Sequence, residues 1–463
     1  MKLRVFVLVL GLLSCGTRGI ASGEQRPNVL FIAVDDLNDF PTFSGRYPDA
    51  KTPHMDRLAA RGMVFTRAHC QFPLCGPSRA SVMSGLLPST LGFTDHMKDD
   101  ALATRARQRG TDLLHVYFAA HGYRTMAVGK VCHTHVPKGS VDASGGSGDF
   151  AAGLGRLGRH WKSDLTITDW AAAPDRDEQM PDHEAAGWAV RQLQEADGRP
   201  FFLMLGLLRP HVPWYVPKRW FDLYDRDAIT LPPYRPDDLD DVPEIARRIG
   251  IRAEMPRTDW AIKNDQWRSI VHAYLASISF ADHQVGRVLD ALDNSPHREN
   301  TIIVLWSDHG YHMGEKNTFQ KHSLWERSSH VPLVIAAPRV KPGQRCDRVV
   351  SLLDIYPTLV EMAGLRANRT NEGRSLCPLL AEPRSDWPHP AIIGWQENSF
   401  AVQSENHRYI RYGDGSEELY DHSEDPHEWH NLAAGDVGPA DRDVIARLRS
   451  SLPKSPAAVR ATP

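Results

Sequence analysis

The fold is indicated most directly by Asn28-Val29-Leu30-Phe31-Ile32-Ala33-Val34-Asp35-Asp36, an apolar run of strand length that ends in two carboxylates. Further apolar runs of this kind lie at residues 123–128, 201–208, 301–306 and 332–336. Stretches with helical patterning lie between them, at residues 111–121, 184–195 and 267–292. Strands that are apolar throughout and alternate with helices are typical of a parallel sheet covered on both faces. The sequence therefore predicts an α/β fold with a large, mostly parallel central sheet.

The pattern changes after Gly373. A helix at 354–364 is followed by short, closely spaced strands at 391–395, 400–403, 408–411 and 419–420, and by a last helix near 444–452. Such spacing indicates a small antiparallel sheet. We therefore predict a catalytic domain over residues 26–375 and a C-terminal subdomain over 376–463. The glycine-rich stretch 139–158 predicts a surface loop.

The first residues resemble an export signal. Lys2 and Arg4 precede an apolar run at 5–13 that is too short to span a bilayer, and small residues at 19–21 suit cleavage. This predicts a signal peptide over 1–23 and a periplasmic or extracellular protein. An alternative is Leu12-Leu13-Ser14-Cys15, which resembles a bacterial lipoprotein box and would place a lipid anchor on Cys15. No later segment has the length of a transmembrane helix.

Charge and cysteine content narrow the class of protein further. The 463-residue chain has a formal net charge of -3, so no global basic field favours a nucleic acid partner. Beyond Cys15, an odd number of cysteines remains, which in an exported protein suggests that one of them has another role. Cys346 and Cys377 are candidates for a disulfide, although sequence does not establish the pairing.

Polar residues follow several of the predicted strands at the point where each strand ends. Asp35 and Asp36 follow the first strand, Asp308 and His309 follow 301–306, and Lys130 follows 123–128. Sites in open parallel sheets form outside the carboxyl ends of the strands. Converging carboxylates need a cation, and oxygen ligands favour a hard divalent ion. A loop or helix cap is the alternative for the Asp pair alone, and a histidine leaves room for another metal.

The segment Cys75-Gly76-Pro77-Ser78-Arg79 is the most specific motif in the chain. Proline and serine suit the first turn of a helix, which would put Cys75 at the end where free amides favour an anion. Arg79 follows four residues later and can project toward the same end. This combination suits nucleophilic attack on a tetraoxo ester. The alternative for a single cysteine is a small buried apolar residue.

This segment matches the C-x-P-S-R motif of the formylglycine-dependent sulfatases, and the chain resembles that family from about Asn28 onward. Several segments look like its iduronate-2-sulfatase-like branch: Asp35-Asp36-Leu37-Asn38, Gly129-Lys130-Val131-Cys132-His133, Arg209-Pro210-His211 and Ser307-Asp308-His309-Gly310. The resemblance implies an alkaline-phosphatase-like sandwich fold. It also implies that a formylglycine-generating maturation enzyme converts Cys75 to 3-oxoalanine (formylglycine).

The resemblance assigns one calcium ion (Ca²⁺) to the chain. Its ligands would be Asp35, Asp36, Asp308 and His309, with an oxygen of residue 75 completing the shell. Many members of the family carry Asn where His309 stands, which leaves the identity of the metal open.

The resemblance also assigns the catalytic roles. Arg79 and Lys130 would steady the hydrated formylglycine and the sulfate, and Lys321 would contact a sulfate oxygen. His211 would protonate the leaving alcohol. His133 would take a proton from the second hydroxyl of the covalent intermediate, which then expels sulfate and restores the aldehyde.

The implied function is hydrolysis of a sulfate ester on a sulfated carbohydrate, such as a 2-O-sulfated uronate or a related polysaccharide unit. The alternatives are a phosphodiesterase or phosphonate monoester hydrolase of the same superfamily, and a non-catalytic protein that binds sulfated glycans. His96, Lys98, His312 and Trp325 are candidates for a sugar subsite, with surface polarity or packing as the alternative for each.

Overall fold

The computed structural model describes residues 25–149, 153–155, 157, 160–161, 168–195, 198–396 and 398–453. The predicted signal peptide, including Cys15, lies outside the described residues, as does part of the predicted loop at 139–158.

The strands in the described part of the chain are, in order, β1 Asn28–Val34, β2 Met63–His69, β3 Arg124–Gly129, β4 Ala143–Ser144, β5 Trp170–Ala172, β6 Phe201–Leu207, β7 Trp214–Val216, β8 Thr301–Ser307, β9 His330–Ala336, β10 Gln344–Ser351, β11 Ala391–Trp395, β12 Ser399–Gln403, β13 His407–Arg411 and β14 Glu417–Asp421. The α-helices there are α1 Pro53–Arg61, α2 Cys75–Ser84, α3 Pro88–Leu91, α4 Asp99–Gln108, α5 Leu114–Ala120, α6 Pro181–Gln194, α7 Lys218–Phe221, α8 Glu244–Gly250, α9 Thr258–Lys263, α10 Trp267–Asp293, α11 Glu326–Ser329, α12 Ile355–Met362, α13 Cys377–Ala381 and α14 Pro439–Arg449.

The central sheet has the strand order β10-β2-β9-β8-β1-β6-β3-β4. Strands β8, β1, β6 and β3 are parallel, whereas β9 is antiparallel to both of its neighbours. The predicted fold class is confirmed: a large, mostly parallel sheet is accompanied by a smaller antiparallel one. Strands β2 and β10 were not predicted as strands.

Side chains of the central strands alternate between two apolar layers. In β1, Leu30, Ile32 and Val34 pack into the layer that contains α6 and α10. Val29, Phe31 and Ala33 pack into the opposite layer, which contains α2, α5 and α12. Every residue of β1 is buried, because helices cover the sheet on both faces. This explains why the strand is apolar throughout.

Strands β11 to β14 form a separate antiparallel sheet in chain order. Residues Val402, Tyr409 and Leu419 of this sheet pack against α14, and Ile393, Ala401 and Ile410 face the catalytic part of the chain. The domain boundary at 376 stays a prediction. The helices of the described residues include none with both the length and the apolarity needed to cross a bilayer.

The Cys346–Cys377 disulfide considered from the sequence is absent, because both cysteines are free. The Cys346 Sγ atom lies 3.4 Å from the Pro383 carbonyl oxygen instead. Cys70, Cys75 and Cys132 are also free and buried.

Pairing register brings the strand ends together at one edge of the central sheet. Val34 is opposite both Ser307 of β8 and Leu207 of β6, and Gly129 of β3 is opposite Gly206. The carboxyl end of β2 lies at the same edge, since β9 runs antiparallel to both β8 and β2. The residues that follow β1, β2, β3, β6 and β8 are therefore neighbours.

Candidate active site

Cys75 is the first residue of α2, which begins shortly after β2 ends. Leu74 caps the helix in an extended conformation, and every residue of α2 is buried. A Cβ atom on Gly76 would lie 2.9 Å from His96 Nδ1, so a larger residue at this position would require the His96 ring to shift. The helix therefore presents its free N-terminal amides and the Cys75 side chain together, in a place that favours an anion.

Polar groups from several elements surround the Cys75 Sγ atom, and His211 is among them. Lys321 Nζ lies 3.1 Å away, His309 Nε2 lies 3.2 Å away and Asp36 Oδ1 lies 3.9 Å away. Lys321 Nζ also lies 2.6 Å from Asp36 Oδ1. The strand ends predicted Asp36 and His309 at one rim, whereas Lys321 was assigned only by the family resemblance; the structure places all three near one sulfur.

Arg79 and Lys130 contact the other two carboxylates of the site, those of Asp35 and Asp308. Arg79 Nε lies 2.7 Å from Asp308 Oδ2, and Arg79 Nη2 lies 3.2 Å from Asp35 Oδ1. Lys130 Nζ lies 2.5 Å from the other oxygen of Asp35. Arg79 also donates to the carbonyl of Val131 at 3.0 Å, and all of these side chains are buried. The planar guanidinium can bridge two carboxylates and a carbonyl at once, as a lysine could not.

A turn explains how two successive aspartates face the same site. Asp36 has a φ of 58°, in the left-handed region that aspartate tolerates better than most residues. Its amide donates to Asp308 Oδ1 at 3.2 Å, and its carbonyl accepts a hydrogen bond from the Tyr274 hydroxyl at 2.7 Å. Without this turn, alternation along the strand would direct the two side chains to opposite faces.

Burial and charge separate the acidities of the carboxyl groups. Burial raises the pKa of Asp35 to about 6 despite the nearby Lys130, and repulsion from Asp308 adds to the rise. Burial also disfavours ionisation of Asp36, but His211, Lys321 and His309 hold its pKa below the ordinary value. Arg79 does the same for Asp308. A divalent cation between these groups would offset both the burial and the repulsion from Asp308 that raise the pKa of Asp35.

The residues present fit a divalent cation. Ligand atoms of Asp35, Cys75, Asp308 and His309 all lie within 4.8 Å of one another. The buried Asp36 Oδ2 atom accepts no hydrogen bond from the described residues. His309 Nδ1 lies 3.0 Å from the Gly310 carbonyl oxygen, a contact that favours the tautomer with Nε2 unprotonated and able to bind a metal.

The two candidate proton-transfer histidines occupy different positions. His211 Nε2 lies 3.8 Å from Asp36 Oδ2, and its Nδ1 atom lies 2.6 Å from the Val212 carbonyl oxygen. His133 is half-buried and stacks on His96, with ring centroids 4.0 Å apart. Burial, with the nearby His96 and Lys130, lowers the pKa of His133 to about 3, so this imidazole is neutral at neutral pH.

The candidate sugar-subsite residues divide into two pairs. His312 and Trp325 are buried, and their rings make an edge-to-face contact, which confirms the packing alternative for both residues. His96 and Lys98 are exposed and line a cavity of about 460 Å³ together with His133. The sequence did not predict the stacking of His96 on His133, because the two residues are far apart in the chain and neither lies in a regular element.

Comparisons with known proteins identify the family of this chain. The sulfatase family model matches residues 27–365, and the model of the N-sulphoglucosamine sulphohydrolase C-terminal region matches residues 314–457. A sulfatase of Formosa agariphila is 42% identical, over 98% of this chain and 92% of its own length. The iduronate 2-sulfatase of Mus musculus is 30% identical, over 78% of this chain and 73% of its own length.

Solved structures share the fold. A phosphonate monoester hydrolase of Agrobacterium radiobacter has a TM-score of 0.74 and 22% identity, covering 92% of this chain and 95% of its own. A protein in complex with its substrate D-glucosamine-2-N,6-O-disulfate has a TM-score of 0.73 and 20% identity, covering 92% and 97%. The family match and the relatives define the class: the chain belongs to the sulfatase family. Like the sulfatases that it resembles, it is a sulfuric ester hydrolase.

Proposed function

We propose that the protein hydrolyses a sulfate ester on a sulfated carbohydrate, and that formylglycine made from Cys75 is the nucleophile. The observation that carries this proposal is the position of the Cys75 Sγ atom, at a helix N-terminus and within 3.9 Å of Lys321, His309 and Asp36. In the mature protein, an oxygen on the β-carbon of the hydrated aldehyde would stand where this sulfur lies. That oxygen would be the atom that attacks sulfur in the ester.

Calcium is the cation that we propose for this site. Asp35, Asp36, Asp308 and His309 would hold it, together with an oxygen of residue 75. When bound, the cation supplies positive charge that polarises the oxygens of the sulfate. The carboxylates of the site already face an equal number of cationic side chains, namely Arg79, Lys130 and Lys321. A divalent ion would therefore leave the site with an excess of positive charge, which suits an anionic ester.

The buried cations would act on the nucleophile and on the sulfate. Arg79 and Lys130 both bind the Asp35 carboxylate, and they would thereby fix the orientation of this carboxylate next to residue 75. Lys321 Nζ is the ammonium group near the nucleophile, at 3.1 Å, and would donate to a nonbridging sulfate oxygen. Such preorganised charge stabilises a transition state because it needs no reorganisation during the reaction.

The histidines would move protons at opposite stages. His211 Nε2 faces the site, since Nδ1 is engaged with the Val212 carbonyl, and it would protonate the leaving alcohol. Burial lowers the pKa of His211 in spite of Asp36, and an anionic ester would favour its protonated form. His133 is neutral and suits the base that accepts a proton in the step that releases sulfate.

The relatives support the substrate class. A mouse relative is named for iduronate 2-sulfate chemistry, and a protein of the same fold binds a disulfated glucosamine as its substrate. We therefore propose a sulfated carbohydrate, with a 2-O-sulfated uronate or a related polysaccharide unit as the first candidate. We also propose that the predicted signal peptide directs the enzyme out of the cytoplasm and that a formylglycine-generating enzyme converts Cys75.

A phosphonate monoester hydrolase or phosphodiesterase remains the second candidate function, because a solved phosphonate monoester hydrolase has the same fold. Phosphodiesters and phosphonate monoesters carry one negative charge, as a sulfate monoester does, so the preference for sulfate rests on the family match and the sulfatase relatives. A non-catalytic glycan-binding protein would not need Cys75, Arg79 and His211 together, and all of them are present.

Paired rates on an aryl sulfate, an aryl phosphodiester and an aryl phosphonate monoester would test the proposal. Among these three esters, we expect the highest kcat/KM on the aryl sulfate. In a second assay, we expect the enzyme to release sulfate from sulfated oligosaccharides that contain uronate. Preferential turnover of either phosphorus ester would favour the second candidate, and saccharide binding without turnover of any ester would favour the non-catalytic one.

A further inference from the structure

The segment that carries Lys321 has no regular secondary structure to hold it in place. It lies between a short turn at Glu315–Asn317 and α11, and it supplies the ammonium group nearest to Cys75. On its N-terminal side, the His312 amide donates to the Gln320 carbonyl at 2.9 Å. On its C-terminal side, the Ser328 hydroxyl donates to the Lys321 carbonyl. The position of Lys321 therefore depends on what fixes residues 324–329.

Arg408 of β13 reaches this segment from the small C-terminal sheet. Its side chain is fully buried. Nη1 donates to the Leu324 carbonyl at 2.8 Å, and Nη2 donates to Ser329 Oγ at 3.0 Å and to the Glu326 carboxylate. The guanidinium thus binds both ends of residues 324–329 at the same time.

Two glutamates of the C-terminal region hold the same segment. The Glu326 amide, at the start of α11, donates to Glu428 Oε2 at 2.8 Å, and Glu428 Oε1 lies 3.0 Å from Arg408 Nε. Trp325 Nε1 donates to Glu418 Oε2 at 2.8 Å. Each of these contacts joins the C-terminal sheet, or the turn that follows it, to residues that come shortly after Lys321 in the chain.

We propose that Arg408 is a positioning residue for Lys321, and that the C-terminal sheet thereby holds an active-site lysine against the nucleophile. The proposal rests on the proposed function only where it links Lys321 to sulfate. Arg408 itself touches neither Cys75 nor the cation ligands in the described contacts, so its effect passes through the backbone of residues 324–329.

The conservative change Arg408→Lys tests this proposal, because it keeps the positive charge of the side chain and removes the planar set of guanidinium donors. A single ammonium group cannot bind the Leu324 carbonyl, the Glu326 carboxylate and the Ser329 hydroxyl in the same geometry. The matched control is Arg449→Lys. Arg449 lies on α14, and its described contacts are with Tyr409 and Glu417.

The first measurement is site-resolved acylation of lysine amines, followed by mass spectrometry of the full chain's peptides. We expect Arg408→Lys to speed acylation of Lys321 by about tenfold, the factor that corresponds to about 1.4 kcal/mol of local stabilisation. Lys130, held at the end of β3, should react at the parent rate and so reports an intact fold. Arg449→Lys should leave both rates unchanged. Equal Lys321 rates in the parent and in Arg408→Lys would overturn the proposal, whatever the activity.

Trp325→Phe keeps the proposal testable if Arg408→Lys does not fold. This change removes one hydrogen bond between the segment and Glu418 while keeping an aromatic ring. We expect a smaller increase in Lys321 acylation, in the same direction. An unchanged rate in a folded Trp325→Phe protein, judged by its parent-like Lys130 rate, would overturn the claim that the C-terminal sheet holds the segment that carries Lys321.

The second measurement is a double-mutant cycle on kcat for an aryl sulfate. Arg408→Lys should lower kcat by about tenfold or more, because a small misplacement of a positioned group has large effects on rate. In a Lys321→Ala background it should have almost no further effect. Equal factors in both backgrounds would show that Arg408 acts elsewhere and would overturn the proposal. If Lys321→Ala alone keeps full kcat, the proposed role of Lys321 fails, and the acylation rates still decide whether Arg408 positions it.

Discussion

Removal of the His211 imidazole should affect substrates according to their leaving groups. The Nδ1 atom of His211 is engaged with the Val212 carbonyl, which leaves Nε2 to face the site, 3.8 Å from Asp36. A sugar alkoxide is a poor leaving group and needs a proton as the ester bond breaks, whereas a nitrophenolate needs little help. We therefore expect His211→Ala to slow hydrolysis of a sugar sulfate far more than hydrolysis of nitrophenyl sulfate.

The size of the effect follows from the role of a general acid. Loss of such a group typically lowers a rate by about 100-fold or more, or about 2.7 kcal/mol in activation free energy. His211 is partly exposed at the mouth of the site, while Arg79 and Lys130 are buried beneath it. Its removal should leave Asp36 in contact with Lys321 and His309 and should leave the contacts of Arg79 and Lys130 unchanged, so the loss on nitrophenyl sulfate should stay within about tenfold.

The assay is kcat for both substrates in the parent, in His211→Ala and in the control His133→Ala, with the aldehyde content of residue 75 measured in each. His133 is a half-buried histidine of the same rim, but its proposed step follows departure of the alcohol. The control should therefore show no selective loss on the sugar sulfate. Equal losses on both substrates for His211→Ala would refute the general-acid role and leave Lys321 as the candidate donor.

Other predictions concern the nucleophile, the cation and the pH dependence of stability. Cys75→Ser should abolish turnover in a host whose maturation enzyme acts only on cysteine, and near-normal activity with an unmodified serine would contradict the mechanism. Asp308→Asn should remove bound metal and activity together, because the cation loses a charged carboxylate ligand and Arg79 keeps only Asp35 as a charged partner. Metal analysis of the purified protein checks this, and full activity without metal would count against it. Burial raises the pKa of Asp282, which accepts the Met55 amide at 2.7 Å, from 3.8 to about 7. The folded state then holds a proton that the unfolded state releases, so stability should fall by up to about 4 kcal/mol as pH rises from about 4 to 7, and melting temperatures of Asp282→Asn should lack this slope.

Much of the fold was predictable because the central strands are buried on both faces. In strands such as β1, both faces are buried, so apolar and polar residues do not alternate and a continuous apolar run identifies the strand. Strands β2 and β10 lie at one side of the sheet and carry half-buried or exposed polar residues, among them Thr66 and Arg67 in β2. The sequences of β2 and β10 therefore mix polar and apolar residues in the way that is typical of loops. This omission matters for function, because β2 is the strand that leads to Cys75.

The site was predictable where chemistry follows a strand directly. Asp35 and Asp308 end neighbouring parallel strands, so their convergence follows from the sheet. Lys321 lies in an irregular segment, and its distance of 3.1 Å from Cys75 Sγ depends on tertiary contacts that no local pattern records. The same holds for Arg408, which is far along the chain and in another sheet. The turn at Asp36 is also invisible to periodicity, because it depends on the Tyr274 hydroxyl.

The chemical state of residue 75 tests the central claim most directly. Mass spectrometry of the peptide that contains residue 75, from protein made with and without a formylglycine-generating enzyme, gives the fraction of aldehyde in each preparation. Sulfatase activity per mole of protein should rise in proportion to that fraction and vanish where the peptide contains only Cys75. Equal activity in preparations with and without the aldehyde would contradict the account.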